Sequence, residues 1–141
     1  MTKSTPPTGK AGKIIYWIAT AWLALGMLST AIIQLLKTEE EVTMITRLGY
    51  PVYLLSIIGV WKILGVIAVL VPKFPLVKEW AYAGFFIAMS GAVLSHLLNG
   101  DETKHIFGPT LLIILTVASW YFRPADRKVP ALPAGRILVN Q

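Results

Sequence analysis

The chain has 141 residues, of which only 14% are Asp, Glu, Lys or Arg, against about 25% in soluble domains. Apolar residues make up 55% and mean hydropathy is +0.66, more hydrophobic surface than one core of this size can bury, so a bilayer has to cover the rest. The absence of cysteine excludes disulfides, thiolate metal ligands, thiol nucleophiles and c-type haem attachment within the chain, and the net charge of +6 is not gathered into a basic run interleaved with aromatics, so nucleic acid is not an expected partner.

Residues 1–13, with Pro6 and Pro7 and no apolar period, read as a flexible tail. The run Ile14 to Leu36 is long enough to cross about 30 Å of hydrocarbon as a helix. Its basic flank and the triplet Ala19-Thr20-Ala21 imitate a secretory signal, but the apolar run is too long for one and the would-be cleavage site lies inside it. This first span is therefore read as a retained helix.

Thr38 followed by Glu41 is a capping box, and Val42, Ile45 and Leu48 recur at helical spacing until Gly49 and Pro51 stop the pattern. A short amphipathic helix over 39–48 is predicted on the outer surface, covering the mouth of the bundle or closing over a site. A second span, Tyr53 to Val71, a third, Trp80 to Leu98, and a fourth, Ile106 to Phe122, follow. None shows the alternating polar positions of a membrane β-strand. Residues 123–141 read as a second flexible tail, leaving 14–122 as an all-α, integral membrane four-transmembrane-helix bundle.

Lys3, Lys10, Lys13, Lys73, Lys78, Arg123, Arg127, Lys128 and Arg136 fall on one side of these spans, against Lys37, Arg47 and Lys104 on the other. The excess places both termini in the cytoplasm, and the expected location is the bacterial inner membrane. The third span carries a stripe of small residues, Ala81, Gly84, Ala88, Gly91, Ala92 and Ser95, suited to close helix packing within the chain or in a homodimer.

Among the residues of the four spans, Lys62 alone is charged. It lies about 13 Å from either interface at 1.5 Å per residue, beyond the roughly 6 Å reach of a lysine side chain. A central lysine costs about 2.5–3.5 kcal/mol on insertion, which the apolar remainder of the span offsets. Gly59 and Gly65 flank it on one face and leave room. No carboxylate lies at matching depth, since Glu79 sits near the inner interface, while Ser90 and Thr116 are nearer in depth. The missing partner is then a ligand carboxylate, enolate or quinone carbonyl, or else neutral groups of the bundle.

His96 closes the third span, with Asp101, Glu102 and His105 in the loop beyond. No spacing fixes the two histidines on one face, so no metal is expected, and hydrogen bonding to Ser, Gln34 or a loop carbonyl is the simplest role for His96. There is no nucleophile elbow, phosphate loop or Rossmann glycine pattern, and the chain is not expected to be an enzyme on its own.

The runs Gly49-Tyr50-Pro51, Lys62-Ile63-Leu64-Gly65, Lys78-Glu79-Trp80-Ala81-Tyr82-Ala83-Gly84-Phe85 and Gly91-Ala92-x-x-Ser95-His96 resemble the DoxX-like family of small bacterial four-helix membrane proteins. The resemblance spans all four helices. It implies a relation to DoxX and DoxD proteins, some linked to quinone-dependent sulfur oxidation or to membrane complexes that handle oxidative stress. It also points to Lys62, Glu79, Tyr82 and His96 as a polar signature. Without cysteine, a redox contribution would come through a bound quinone or a partner subunit. Two readings follow: a membrane-embedded site for a small lipophilic molecule, quinone-like, using Lys62 as charge partner with His96, Tyr82 and Glu79; and a non-enzymatic scaffold, chaperone or accessory subunit in a membrane complex. Transport has less support, because no broken inverted repeat is present.

Overall fold

The computed structural model describes residues 9–130, and among these the fold is all-helical. Its elements are α1 (Lys10–Leu35), α2 (Glu39–Arg47), α3 (Tyr53–Leu70), α4 (Pro75–Leu98), α5 (Thr103–Tyr121) and a 3-10 turn, Ala125–Arg127. The four long helices close a ring in which α1 packs on α3 and α5, and α4 packs on α5 and α3. The start of α1 and the end of α5 share what we call the proximal end; α2 and the α4–α5 turn lie at the distal end.

By length and composition, α1, α3 and α4 are able to cross a membrane. The expected fourth span corresponds to α5, whose first turns carry Lys104, His105, Pro109 and Thr110 and are correspondingly more polar. Large apolar side chains face outward all round the ring: Leu25 and Trp61 are each 68% exposed and Ile87 67%. Leu23, Met27, Val66, Val69, Phe85, Met89 and Leu115 fill the interior. An apolar exterior on this scale suits hydrocarbon and not water.

Some boundaries differ from the sequence reading. α1 begins four residues before Ile14, and α4 begins at Pro75, with proline at a first-turn position where its missing N–H costs nothing. Lys78 and Glu79 are thereby part of a helix. The chain after Tyr121 is not a free tail throughout, because it folds back and buries Arg127. The rest of the two expected tails, residues 1–8 and 131–141, lies outside the described residues.

Local sequence dictates the distal helix ends. Thr38 caps α2, its hydroxyl accepting the Glu41 N–H at 3.5 Å, as the capping box predicts. α2 ends with Gly49 at φ 89° while the Tyr50 N–H reaches the Ile45 carbonyl and the Gly49 N–H that of Thr46, which is a Schellman motif. α4 ends the same way, with Gly100 at φ 72° and the Asp101 N–H on the His96 carbonyl. α1 repeats it with Lys37 at φ 50°, where a non-glycine residue costs about 1 kcal/mol. That turn leads directly from α1 into α2, which packs on α3.

Close helix approach occurs where glycine permits it. A Cβ at Gly59 would stand 3.1 Å from the Ala31 carbonyl oxygen and 2.8 Å from Leu35 Cγ, so α1 occupies that space. At Gly65 the ring of Phe85 fills it, 2.5 Å from a Cβ there. The glycines beside Lys62 thus hold packed side chains, not the free volume expected of them. The small stripe of α4 behaves in the opposite sense: Gly84 and Gly91 have nothing near them. Together with Ala81 and Ala88, Gly84 opens a groove against α3 in place of a tight contact.

Candidate functional site

Lys62 is buried, 6% exposed, between α3 and α1. Its ammonium donates to Thr30 Oγ1 at 3.1 Å and Gln34 Oε1 at 3.0 Å. Both acceptors stand on one face of α1, one turn apart, near its distal end. The lysine therefore leans toward the distal side and finds neutral oxygens on α1, not Ser90, Thr116 or Glu79. An ammonium has three N–H donors, and among the described residues no carboxylate pairs with this one. Lys62 is also the charged residue on the wall of the α3–α4 groove, a space of about 420 Å³ lined otherwise by Trp61, Trp80, Phe85 and small or aliphatic side chains.

Glu79 and Tyr82 lie elsewhere, toward the proximal end of α4. The Glu79 carboxylate pairs with Arg123 Nη2 at 2.6 Å and accepts Trp120 Nε1–H at 2.8 Å, while the Arg123 guanidinium stacks 4.7 Å from the Trp120 ring centroid. The Tyr82 hydroxyl meets Ser119 Oγ at 2.8 Å, and Ser119 meets Thr20 Oγ1 at 2.6 Å, so three buried hydroxyls link α4, α5 and α1. The Tyr16 hydroxyl is buried with no hydrogen-bond partner among the described residues. Glu79 and Tyr82 share a cleft of about 300 Å³ between α4 and α5 with Thr116 and Trp120.

Two further cations at this end escaped the sequence reading, which counted them as loop charges. Lys78 is 1% exposed and donates to the Ala68 carbonyl at 2.7 Å and to that of Val71; Arg127 donates to Val69 O at 3.0 Å and stacks over Trp17 at 5.0 Å. The last carbonyls of a helix lack intrahelical partners and carry its negative end. Two cations therefore close the end of α3, a helix with no basic residue in its own last turn.

His96 marks the distal end. Its Nδ1 lies 2.7 Å from Asp101 Oδ2, and Asp101 Oδ1 also takes Asn99 Nδ2–H at 2.9 Å and the Arg47 guanidinium at 3.1 Å. The Schellman turn makes this pairing, because it returns the Asp101 backbone to the His96 carbonyl. The carboxylate is thus the partner of His96, in place of Ser, Gln34 or a carbonyl. The bond from His96, with Asn99 and the Arg47 charge, holds the Asp101 carboxyl below the usual carboxylate range. His105 stacks on His96, ring centroids 5.6 Å apart and 15° from parallel, closer than the intervening turn suggested. Arg47 ties α2 to this knot.

The four signature residues thus divide among three places: Lys62 at the α1–α3 contact and groove, Glu79 and Tyr82 in the proximal cleft, and His96 in the distal knot. These features define an all-helical membrane protein with a lysine buried among its long helices. The DoxX-like family model matches residues 18–119, and the chain belongs to that family. No curated protein and no solved structure matches it.

Proposed function

We propose that this protein binds a small lipophilic molecule with a carbonyl or carboxylate head group, a quinone among them, at Lys62. In this reading α5 is the fourth span, both termini lie in the cytoplasm and the bilayer is the bacterial inner membrane. The observation that carries the reading is the incomplete solvation of Lys62. It holds two neutral acceptors, no described carboxylate, and one wall of a groove of about 420 Å³, within the roughly 300–1,000 Å³ of ligand pockets. An ionisable residue inside a membrane is costly to keep, and function is the default reason for its presence. The groove opens between α3 and α4 toward the lipid, so a ligand enters sideways with its tail against Trp61 and Phe85.

A second reading, a scaffold or accessory subunit, is favoured by the other three signature residues. Glu79, Tyr82 and His96 each have protein partners that lock helices together. Purification in mild detergent followed by mass spectrometry of co-purified lipophiles separates the two. The binding reading expects a ligand that Lys62→Met loses while helical content and monodispersity are kept. Equal ligand occupancy in both proteins would leave the scaffold reading in its place.

A further inference from the structure

Lys78 and Arg127 bring more charge to the end of α3 than that helix end can balance. Their acceptors are four consecutive carbonyls: Lys78 takes those of Ala68 and Val71, and Arg127 those of Val69 and Leu70. A helix C-terminus carries about half a negative charge, so two cations leave about 1.5 positive charges uncompensated. Both are buried, 1% and 9% exposed, and buried charges are as a rule paired. Among the described residues no carboxylate pairs with either. Glu79, next to Lys78, is held by Arg123 at 2.6 Å, and Asp126, next to Arg127, forms no ion pair. A third cation, Lys73, stands exposed on the turn between α3 and α4 and is likewise in no described ion pair.

The same helix end is the proximal mouth of the α3–α4 groove. Ala68, whose carbonyl holds Lys78, lines that groove with Val77, Trp80, Ala81 and Gly84, and the Lys73 turn joins its two walls. From Val77 to Ala88 the α4 wall runs about 16 Å at 1.5 Å per residue, close to half of the roughly 30 Å of hydrocarbon. The groove is therefore one leaflet deep, apolar along its length and cationic at its proximal end. We propose that it binds an anionic glycerophospholipid of the proximal leaflet, with the phosphate over the charges of Lys73, Lys78 and Arg127 and one acyl chain in the groove. Basic pockets between membrane helices hold anionic head groups in this way. A zwitterionic lipid would supply the chain without the net charge, and a soluble anion the charge without the chain. The proposal goes beyond the binding reading and does not rest on it, because Lys62 lies at the other end of the groove from the head group.

The test places the full chain in nanodiscs of equal parts phosphatidylglycerol and phosphatidylcholine with the same acyl chains. Native mass spectrometry then counts which lipid the released protein retains. Wild type should retain phosphatidylglycerol at least about fivefold more often, the worth of one basic residue near an anionic head group. Arg127→Gln should bring the ratio toward unity, and so should Lys73→Gln, a change on an exposed turn that leaves the core intact. Gly84→Leu should do the same by filling the groove, since nothing lies within 4 Å of a Cβ there. Lys13→Gln, which removes an exposed cation at the start of α1, should leave the ratio within about twofold of wild type, less than the worth of one such contact. Lys62→Met should not change it. A wild-type ratio near unity overturns the proposal, and so does a preference that survives either Arg127→Gln or Gly84→Leu. A loss in Lys13→Gln as large as in Arg127→Gln overturns it too, the charge of the whole proximal end then being the source. Each of these results leaves the Lys62 reading standing.

Discussion

Ser119 joins two hydroxyls that have no other described side-chain partner, and its replacement by alanine decides whether Tyr82 is a structural lock. Ser119 is fully buried, with Thr20 Oγ1 at 2.6 Å and Tyr82 Oη at 2.8 Å. Removing it strands both. Thr20 can turn its hydroxyl to a carbonyl of its own helix, whereas Tyr82 is left with only the neighbouring buried Tyr16 hydroxyl. A buried hydroxyl left unpaired costs about 1–3 kcal/mol, whereas interhelical hydrogen bonds in membranes average about 0.6 kcal/mol with a maximum near 1.7. We expect Ser119→Ala to destabilise by about 1–2 kcal/mol. Tyr82→Phe alone should cost less, because Ser119 keeps Thr20. In the double variant Ser119→Ala/Tyr82→Phe no stranded phenol remains, so at least half of the Ser119→Ala loss should return. Reversible unfolding in mixed micelles measures all three. A Ser119→Ala protein as stable as wild type, or a double variant whose losses simply add, would refute the lock.

Other predictions concern separate regions. Gly65→Val should destabilise by about 1–3 kcal/mol through overpacking, since a Cβ there meets the Phe85 ring at 2.5 Å, and should reduce ligand occupancy by narrowing the groove; unchanged stability counts against the packing described. The folded-state carboxyl of Asp101 lies below its ordinary value of 3.8, so its contribution is present in full above that value and is lost as pH falls through the lower folded value. Thermal unfolding from neutral pH downward should therefore show an acid loss in wild type, beginning below the ordinary carboxylate value, that is reduced in Asp101→Asn; identical profiles contradict this. Reporter fusions after Arg136 should report the cytoplasm and insertions between Asp101 and Glu102 the opposite side, and a reversed pattern refutes the orientation.

Much of the helical layout is legible because its signals are local. Thr38 and Glu41 specify the start of α2 within four residues, and Gly49 specifies its end. The His96–Asp101 pair was equally legible: Asn99-Gly100 signals a Schellman turn, and that motif brings the residue after the glycine back to the fourth residue before it. Lys62 stands out from composition alone. Its partners do not, because Thr30 and Gln34 face it only once α1 and α3 pair, and that pairing depends on the Gly59 approach to Ala31. Lys78 and Arg127 show the same limit, since each completes a helix end formed by other parts of the chain.

The binding claim rests most directly on how much affinity Lys62 supplies. For delipidated protein in nanodiscs titrated with the lipophile recovered from wild type, one lost charge-assisted hydrogen bond, about 1.5–3 kcal/mol, corresponds to a Kd roughly 10- to 150-fold weaker. Lys62→Met itself should fold, because the relief of a central lysine, about 2.5–3.5 kcal/mol on insertion, offsets the loss of its bonds to Thr30 and Gln34. The account predicts a weakening in that range with helical content retained, whereas a Kd within about twofold of wild type, well short of one such bond, would contradict it.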